Sequence, residues 1–303
     1  MLSAKPWKTD AVIRLVLSVI VCTFAGSCAL LAAHHEVGHN TSRWFYPLLV
    51  AALVLFAITL VVLQTPWEME SAFPRLAISL ACFYGGYILA LCAQRFVTPV
   101  RDSVDQIIFG GVSFQGAAVV FAALCVRDHR LSWAEAFGLP DSVGRAMLLG
   151  VTLTCAFLPV GFLLQYGSAR LLQWAAAKLP RLHLEPEVQQ VVQTMRTAGH
   201  WTQWLPLGVV TLVLAPAGEE VLFRGILYPW VKRVWSPRIA LLSTSVIFGA
   251  IHLNLVTFIP LTVLALLLAL VYELTGNLLA PITAHAAFNA LNLAELYRQG
   301  LSA

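Results

Sequence analysis

Nine apolar runs follow one another along this chain, at 11–33, 45–65, 76–93, 107–126, 146–166, 205–230, 238–253, 258–275 and 279–297. A run of about 20 apolar residues wound as an α-helix crosses the hydrocarbon core of a bilayer with its backbone polar groups bonded internally, which irregular chain facing lipid cannot do. The alternation of a membrane β-barrel is absent. The runs therefore predict an all-α, polytopic membrane protein, a bundle of eight to nine transmembrane helices. The two counts differ because only Asn254 and Pro260 separate the seventh run from the eighth. Composition agrees: 59% of the 303 residues are apolar and 11% charged, at a mean hydropathy of +0.79, against roughly 25% charged for a soluble domain.

The net charge of +4 is scattered through short loops, and no basic run points to nucleic acid as a partner. Cys22, Cys28, Cys82, Cys92, Cys125 and Cys155 lie in apolar stretches without C-x-x-C spacing, so they read as small buried hydrophobes. The polar start, with Lys5 and Lys8, leads into a run that lacks a small-residue cleavage site, which predicts a retained helix. Organisation follows from the spacing: about five spans over 1–177, a polar connector over 178–204, and a final helical core over 205–298. Within the connector, Pro186 and Glu187 suit a helix start. Val188, Val191, Val192 and Met195 form one apolar stripe, so a short interfacial amphipathic helix is expected there. Arg14 and Glu273, near run ends, read as side chains that snorkel to the interface, and Trp201, Trp204, Trp230 and Trp235 as interfacial anchors.

Charge inside these runs needs its own account. Glu219, Glu220 and Arg224 follow the apolar stretch 205–214, and an ionised side chain at the centre of a membrane helix costs about 3 kcal/mol even on the gentler insertion scales. Glu220 and Arg224 stand at i and i+4, where they neutralise one another, whereas Glu219 points about 100° away and is left for chemistry. Downstream, Phe248 with His252 and His285 with Asn289 each share a helix face four residues apart. Either pair alone is the pattern of a hydrogen-bonded packing residue. As a set, Glu219, Glu220, Arg224, His252, His285 and Asn289 supply most of the strongly polar side chains in the last hundred residues' apolar runs, and such groups converge to satisfy one another. A converged carboxylate takes a proton from water; alternatively, a Glu and two imidazoles hold a divalent ion that acidifies bound water. An imidazole or an amide donates to the oxyanion formed when water attacks a carbonyl. Peptide hydrolysis in a membrane-embedded cavity uses all of these groups.

With these residues in hand, the sequence resembles a known family. Glu219-Glu220 with Arg224 matches an EExxxR motif, Phe248 with His252 an FxxxH motif, and His285 with Asn289 an HxxxN motif, in the order found in the CPBP intramembrane proteases. That family includes the type II CAAX prenyl endopeptidases and bacteriocin-processing or self-immunity proteins. The segment from Tyr272 through Gly276 and Pro281 to Asn289 is similar to its members, and the resemblance covers roughly 203–297. It implies a site among the last four helices, with Glu219 as general base or metal ligand and His252 positioning water. His285 and Asn289 are implied at the scissile carbonyl, and Glu220 with Arg224 as a supporting ion pair. Zinc held by Glu219, His252 and His285 fits the same set. The expectation is an intramembrane endopeptidase acting on a membrane-associated peptide or protein in the lipid bilayer, in a prokaryotic plasma (inner) membrane. The alternative is a non-catalytic membrane scaffold or bacteriocin self-immunity protein using the same polar cluster for partner binding. A proton-linked transporter is disfavoured because no repeat pairs two halves of the chain.

One competing motif stands in the first loop. His35-Glu36-Val37-Gly38-His39 is a literal HExxH, which on a helix puts two histidines on one face for zinc. Gly38, Asn40, Thr41 and Ser42 favour a loop instead, and Phe45 occupies the place of a third histidine, so the pattern is read as chance.

Overall fold

In the computed structural model of the protein, which describes residues 5–37, 43–65, 67, 69–97, 103–138, 143–179, 190–197 and 201–301, each of the nine apolar runs is helical. The helices are α1 (Thr9–Val37), α2 (Phe45–Gln64), α3 (Met69–Gln94), α4 (Val104–Gly111), α5 (Ala117–Asp128), α6 (Trp133–Phe137) and α7 (Val143–Lys178). They continue with α8 (Gln190–Thr197), α9 (Trp201–Val209), α10 (Ala215–Glu220), α11 (Tyr228–Val234), α12 (Pro237–Ala250), α13 (Leu255–Thr275) and α14 (Leu279–Leu301). Wider π turns join α4 to α5 (Val112–Gly116), α9 to α10 (Val210–Leu214) and α10 to α11 (Val221–Leu227), so these stretches run as continuous rods. Among the described residues, seven helices are long and apolar enough to cross a membrane. The two apolar runs outside that number have plain reasons. The 14 residues of α12 span about 21 Å against a core of about 30 Å, and α14 is interrupted by His285, Asn289, Asn292, Glu295 and Arg298.

The chain divides into two compact units, residues 8–125 and residues 1–7 with 126–303. In the first, Val21, Cys28, Phe45, Leu49, Ala52, Phe56, Leu63 and Ala93 form one buried apolar cluster drawn from α1, α2 and α3. Arg14 does not snorkel. It is 6% exposed, bonded to the Gln64 carbonyl at 3.5 Å and to Asp10 at 3.4 Å. Helix α1 carries on through Val37, so His35 and Glu36 are helical where a loop was expected. His35 stacks flat on Phe45 with ring centroids 3.8 Å apart, an aromatic packing role, whereas Gly38 and His39 of that motif lie outside the described residues. All six cysteines are free.

In the second unit, α7 packs along α14 and α13, running on to Lys178 past the apolar run that ended at 166. Gly150 permits the close approach: a Cβ there would lie 2.7 Å from the Ala280 carbonyl and 2.9 Å from the Ala284 nitrogen. One turn on, the Thr154 hydroxyl donates to the Ala284 carbonyl at 2.7 Å, fixing the backbone just before His285. Phe157, Leu264, Leu268 and Ala284 fill the seam between the three helices. Of the connector, α8 is described and Met195 is buried, whereas Pro186, Glu187 and Val188 lie outside the described residues. The short α6 was missed from the sequence, though its signal is present. Ser132 and Glu135 form a capping box, and Gly138 ends the helix at φ 70°.

Candidate active site

The rod from α9 to α11 carries the charged turn, and its two prolines explain its irregular backbone. Over Val210–Leu214 the backbone takes π pitch, in which a carbonyl bonds the N–H five residues on, as Val210 does from Ala215. The donor due at Thr211 is then residue 216, and Pro216 has no N–H. Asn289 fills the gap, its Nδ2 donating to the Thr211 carbonyl at 2.9 Å. Tyr228 still donates to the Phe223 carbonyl, five residues back, so the return to α-helical pitch falls on residue 229, the donor then due at the Gly225 carbonyl. Pro229 lacks it as well. The Trp7 indole supplies it, Nε1 donating to the Gly225 carbonyl at 2.9 Å. Such π turns are rare and concentrate at functional sites.

Between these repairs the charges are deeply buried: Glu219 is 5% exposed, Glu220 0%, Arg224 2% and His285 5%. Glu220 Oε1 accepts from Arg224 at 2.8 Å and also from His285 Nδ1 at 2.9 Å. Arg224 completes its shell with the Ala265 carbonyl at 3.0 Å and the face of Phe248, whose centroid lies 4.6 Å from its guanidinium carbon. A buried ion pair persists when further contacts offset its desolvation: the Ala265 carbonyl and the Phe248 ring serve Arg224 and the His285 imidazole serves Glu220 Oε1, whereas Glu220 Oε2 has no hydrogen-bond partner among the described residues. The i, i+4 pairing read from the sequence is therefore present, but Glu220 serves an imidazole too, which spacing alone did not indicate. Phe248, more than a motif letter, is the ring on which Arg224 rests. It lies edge-on to Phe223 at 5.2 Å, with His252 at 5.1 Å and His285 at 5.8 Å on its other sides.

The imidazole nitrogens can be assigned from their partners. A carbonyl only accepts, so the 2.8 Å contact of His252 Nδ1 with the Phe248 carbonyl makes Nδ1 the protonated nitrogen, and Nε2 bears the lone pair. The Glu220 carboxylate, paired with Arg224, likewise accepts a hydrogen bond from His285 Nδ1–H, leaving Nε2 as the nitrogen that exchanges protons. The structure thus joins Glu220, Arg224 and His285 directly, places His252 across Phe248 and Glu219 one residue before Glu220, and turns Asn289 to Thr211. No signal in side-chain spacing marks the carbonyls of Thr211 and Ala265. Pro216 and Pro229 are the residues from which such orphaned carbonyls can be anticipated. Among the described residues, no group of three His, Cys, Asp or Glu side chains is arranged to hold a metal ion, so Glu219, His252 and His285 are not assembled as a zinc ligand set.

Near the end of α13, Glu273 also departs from its expected snorkelling. It accepts from the Tyr228 hydroxyl at 2.9 Å and pairs with Lys232 at 2.5 Å, tying α11 to α13.

Comparison with known proteins bears on this same segment. Residues 201–291 match the family model of the type II CAAX prenyl endopeptidase Rce1-like proteins. An uncharacterized protein, YpbD of Bacillus subtilis (strain 168), is 41% identical over 86 residues, a match spanning 27% of this chain and 41% of that relative. The chain thus matches less than half the length of that relative. No solved structure matches. Fold and site define the class: an all-α, integral membrane protein with a buried carboxylate, guanidinium and imidazole chain in its last helices. Over residues 201–291, less than a third of its length, the chain is similar to the CAAX-protease-like membrane proteins.

Proposed function

We propose that this protein is an intramembrane endopeptidase that hydrolyses a peptide bond of a membrane-associated protein or peptide, in a prokaryotic inner membrane. The observation that carries the reading is that both imidazoles have Nδ1 committed to an acceptor, leaving two Nε2 atoms for proton chemistry around one buried Arg224–Phe248 centre beside Glu219. In this mechanism, Glu219 takes one proton of a water whose other hydrogen bonds to His252 Nε2, and the water oxygen attacks the scissile carbonyl carbon. His285 Nε2, carrying a proton, and the second amide N–H of Asn289 donate to the oxyanion. Glu220 balances the charge of the imidazolium, as a carboxylate does behind a catalytic histidine. Collapse breaks the C–N bond, and the proton held by Glu219 passes to the departing amine. Because Glu219, His252 and His285 are not gathered as ligands, no step runs through a metal. Zinc analysis of the purified protein beside a His252→Ala/His285→Ala variant is expected to show no stoichiometric difference.

The test is hydrolysis of a membrane-proximal peptide library by protein in nanodiscs, in water enriched in heavy oxygen. One heavy oxygen is expected in each new carboxylate. The Glu220–Arg224–Ala265 contacts, which join the charged turn to α13, also favour a second reading, a scaffold whose polar cluster only holds helices together. That reading predicts no cleaved peptide, and loss of partner binding in the same variants.

A further inference from the structure

We propose that Trp7 is a positioning residue for the charged turn, delivered by a strap that the polar N-terminal segment and the α6 loop form together. Trp7 is fully buried, and its indole closes the Gly225 carbonyl that Pro229 leaves without a donor, one residue past Arg224. The strap is held on both sides. Lys5 Nζ donates to the Glu135 carbonyl at 2.9 Å, and the Trp7 ring packs on His129 at 5.3 Å and Phe137 at 6.2 Å.

Phe137 extends the same device to the second catalytic helix. Its ring occupies the space a side chain at Gly225 would need, since a Cβ there would lie 2.6 Å from it. Its carbonyl accepts from the Leu278 N–H at 3.0 Å, at the start of α14 and two turns before His285. Gly138, at φ 70°, lies so close to the Gly276 carbonyl that a Cβ would collide with it. Two short segments, Lys5–Trp7 and Ser132–Gly138, therefore together grip the turn that carries Glu220 and Arg224 and the helix that carries His285. Its effect on chemistry is to fix the Glu220–His285 contact. A sub-ångström shift of either helix would loosen that 2.9 Å hydrogen bond and release the His285 ring from its orientation.

The inference rests on the peptidase reading only for turnover, so the test has a second readout. Full-length Trp7→Phe keeps a ring and removes the donor. In nanodiscs, amide exchange over residues 221–227 should rise about tenfold, and peptide kcat should fall about tenfold with KM unchanged, the effect of losing one buried hydrogen bond. Pro229→Ala restores a backbone N–H opposite Gly225. The Trp7→Phe/Pro229→Ala double variant should therefore recover most of both losses, a compensation that mere loss of packing would not show. Unchanged exchange over 221–227 in Trp7→Phe, faster exchange with undiminished kcat, or no recovery in the double variant would overturn the inference. If the wild type cuts no peptide, the peptidase reading falls, and the exchange cycle still decides whether Trp7 holds the turn.

Discussion

The unit of residues 8–125 and the helices from α9 to α14 draw on the same apolar residues but bury different things. In the first, the cluster around Phe45 and Phe56 is apolar contact, with the polar groups mostly bonding locally, as the Thr59 hydroxyl does to the Leu55 carbonyl at 2.8 Å. In the second, a carboxylate and a guanidinium one helical turn apart share a buried chain with an imidazole from a distant part of the sequence. Lipid tails are as apolar as leucine, so helix association in a membrane gains from packing and from interhelical hydrogen bonds, with little hydrophobic drive. The first unit uses packing. The second adds buried charged hydrogen bonds, and the proposed peptidase function rests on that contrast.

Substitutions can break or sharpen that contrast. The largest effect is expected from Glu220→Ala, which leaves Arg224 buried without its carboxylate and His285 without its acceptor. Breaking a buried pair from one side costs about 3–5 kcal/mol, so a large loss of thermal stability and loss of peptide turnover should appear together. Phe56→Ala should also destabilise, by less than the ~3–5 kcal/mol of a water-soluble core because the transfer contribution is missing in lipid, while folded protein keeps its turnover. Equal damage to turnover in both variants would erase the distinction. Smaller again is Glu273→Gln, which weakens the tie to Lys232 and Tyr228 but touches neither imidazole. A stability loss of about 1 kcal/mol with kcat unchanged is expected.

The smallest effect concerns pH. Burial holds the Lys5 ammonium below its ordinary value of 10.5. Between the lowered value and 10.5 the unfolded chain binds the proton more tightly, so this residue's contribution to stability rises with pH across that window. Melting temperatures of wild type and Lys5→Met should therefore converge or cross toward wild type between neutral pH and pH 10. A difference that stays constant would contradict this origin.

Much of this was legible in the chain because membranes restrict the alternatives. The nine apolar runs had to be helices, and charges within them had to meet, so Glu220 with Arg224 followed from spacing alone. What spacing could not carry was contact between distant segments. That His285 shares Glu220, that Asn289 reaches Thr211, and that Trp7 reaches Gly225 each depend on tertiary approach over long sequence separations. The missed α6 shows a different limit. Its Ser132-x-x-Glu135 box is readable, but five residues carry no periodicity to support a helix. The extension of α7 past 166 shows a third, since polar residues end an apolar run without ending the helix that bears them.

The most direct measurement is single-turnover cleavage of a membrane-proximal peptide by wild-type protein and by Glu219→Gln, with folding of both checked by thermal melt. Glu219→Gln should melt like the wild type yet cut at least a thousandfold more slowly, because it keeps the shape of the site and removes the base. Cleavage by Glu219→Gln at the wild-type rate would contradict a glutamate-driven hydrolysis at this centre.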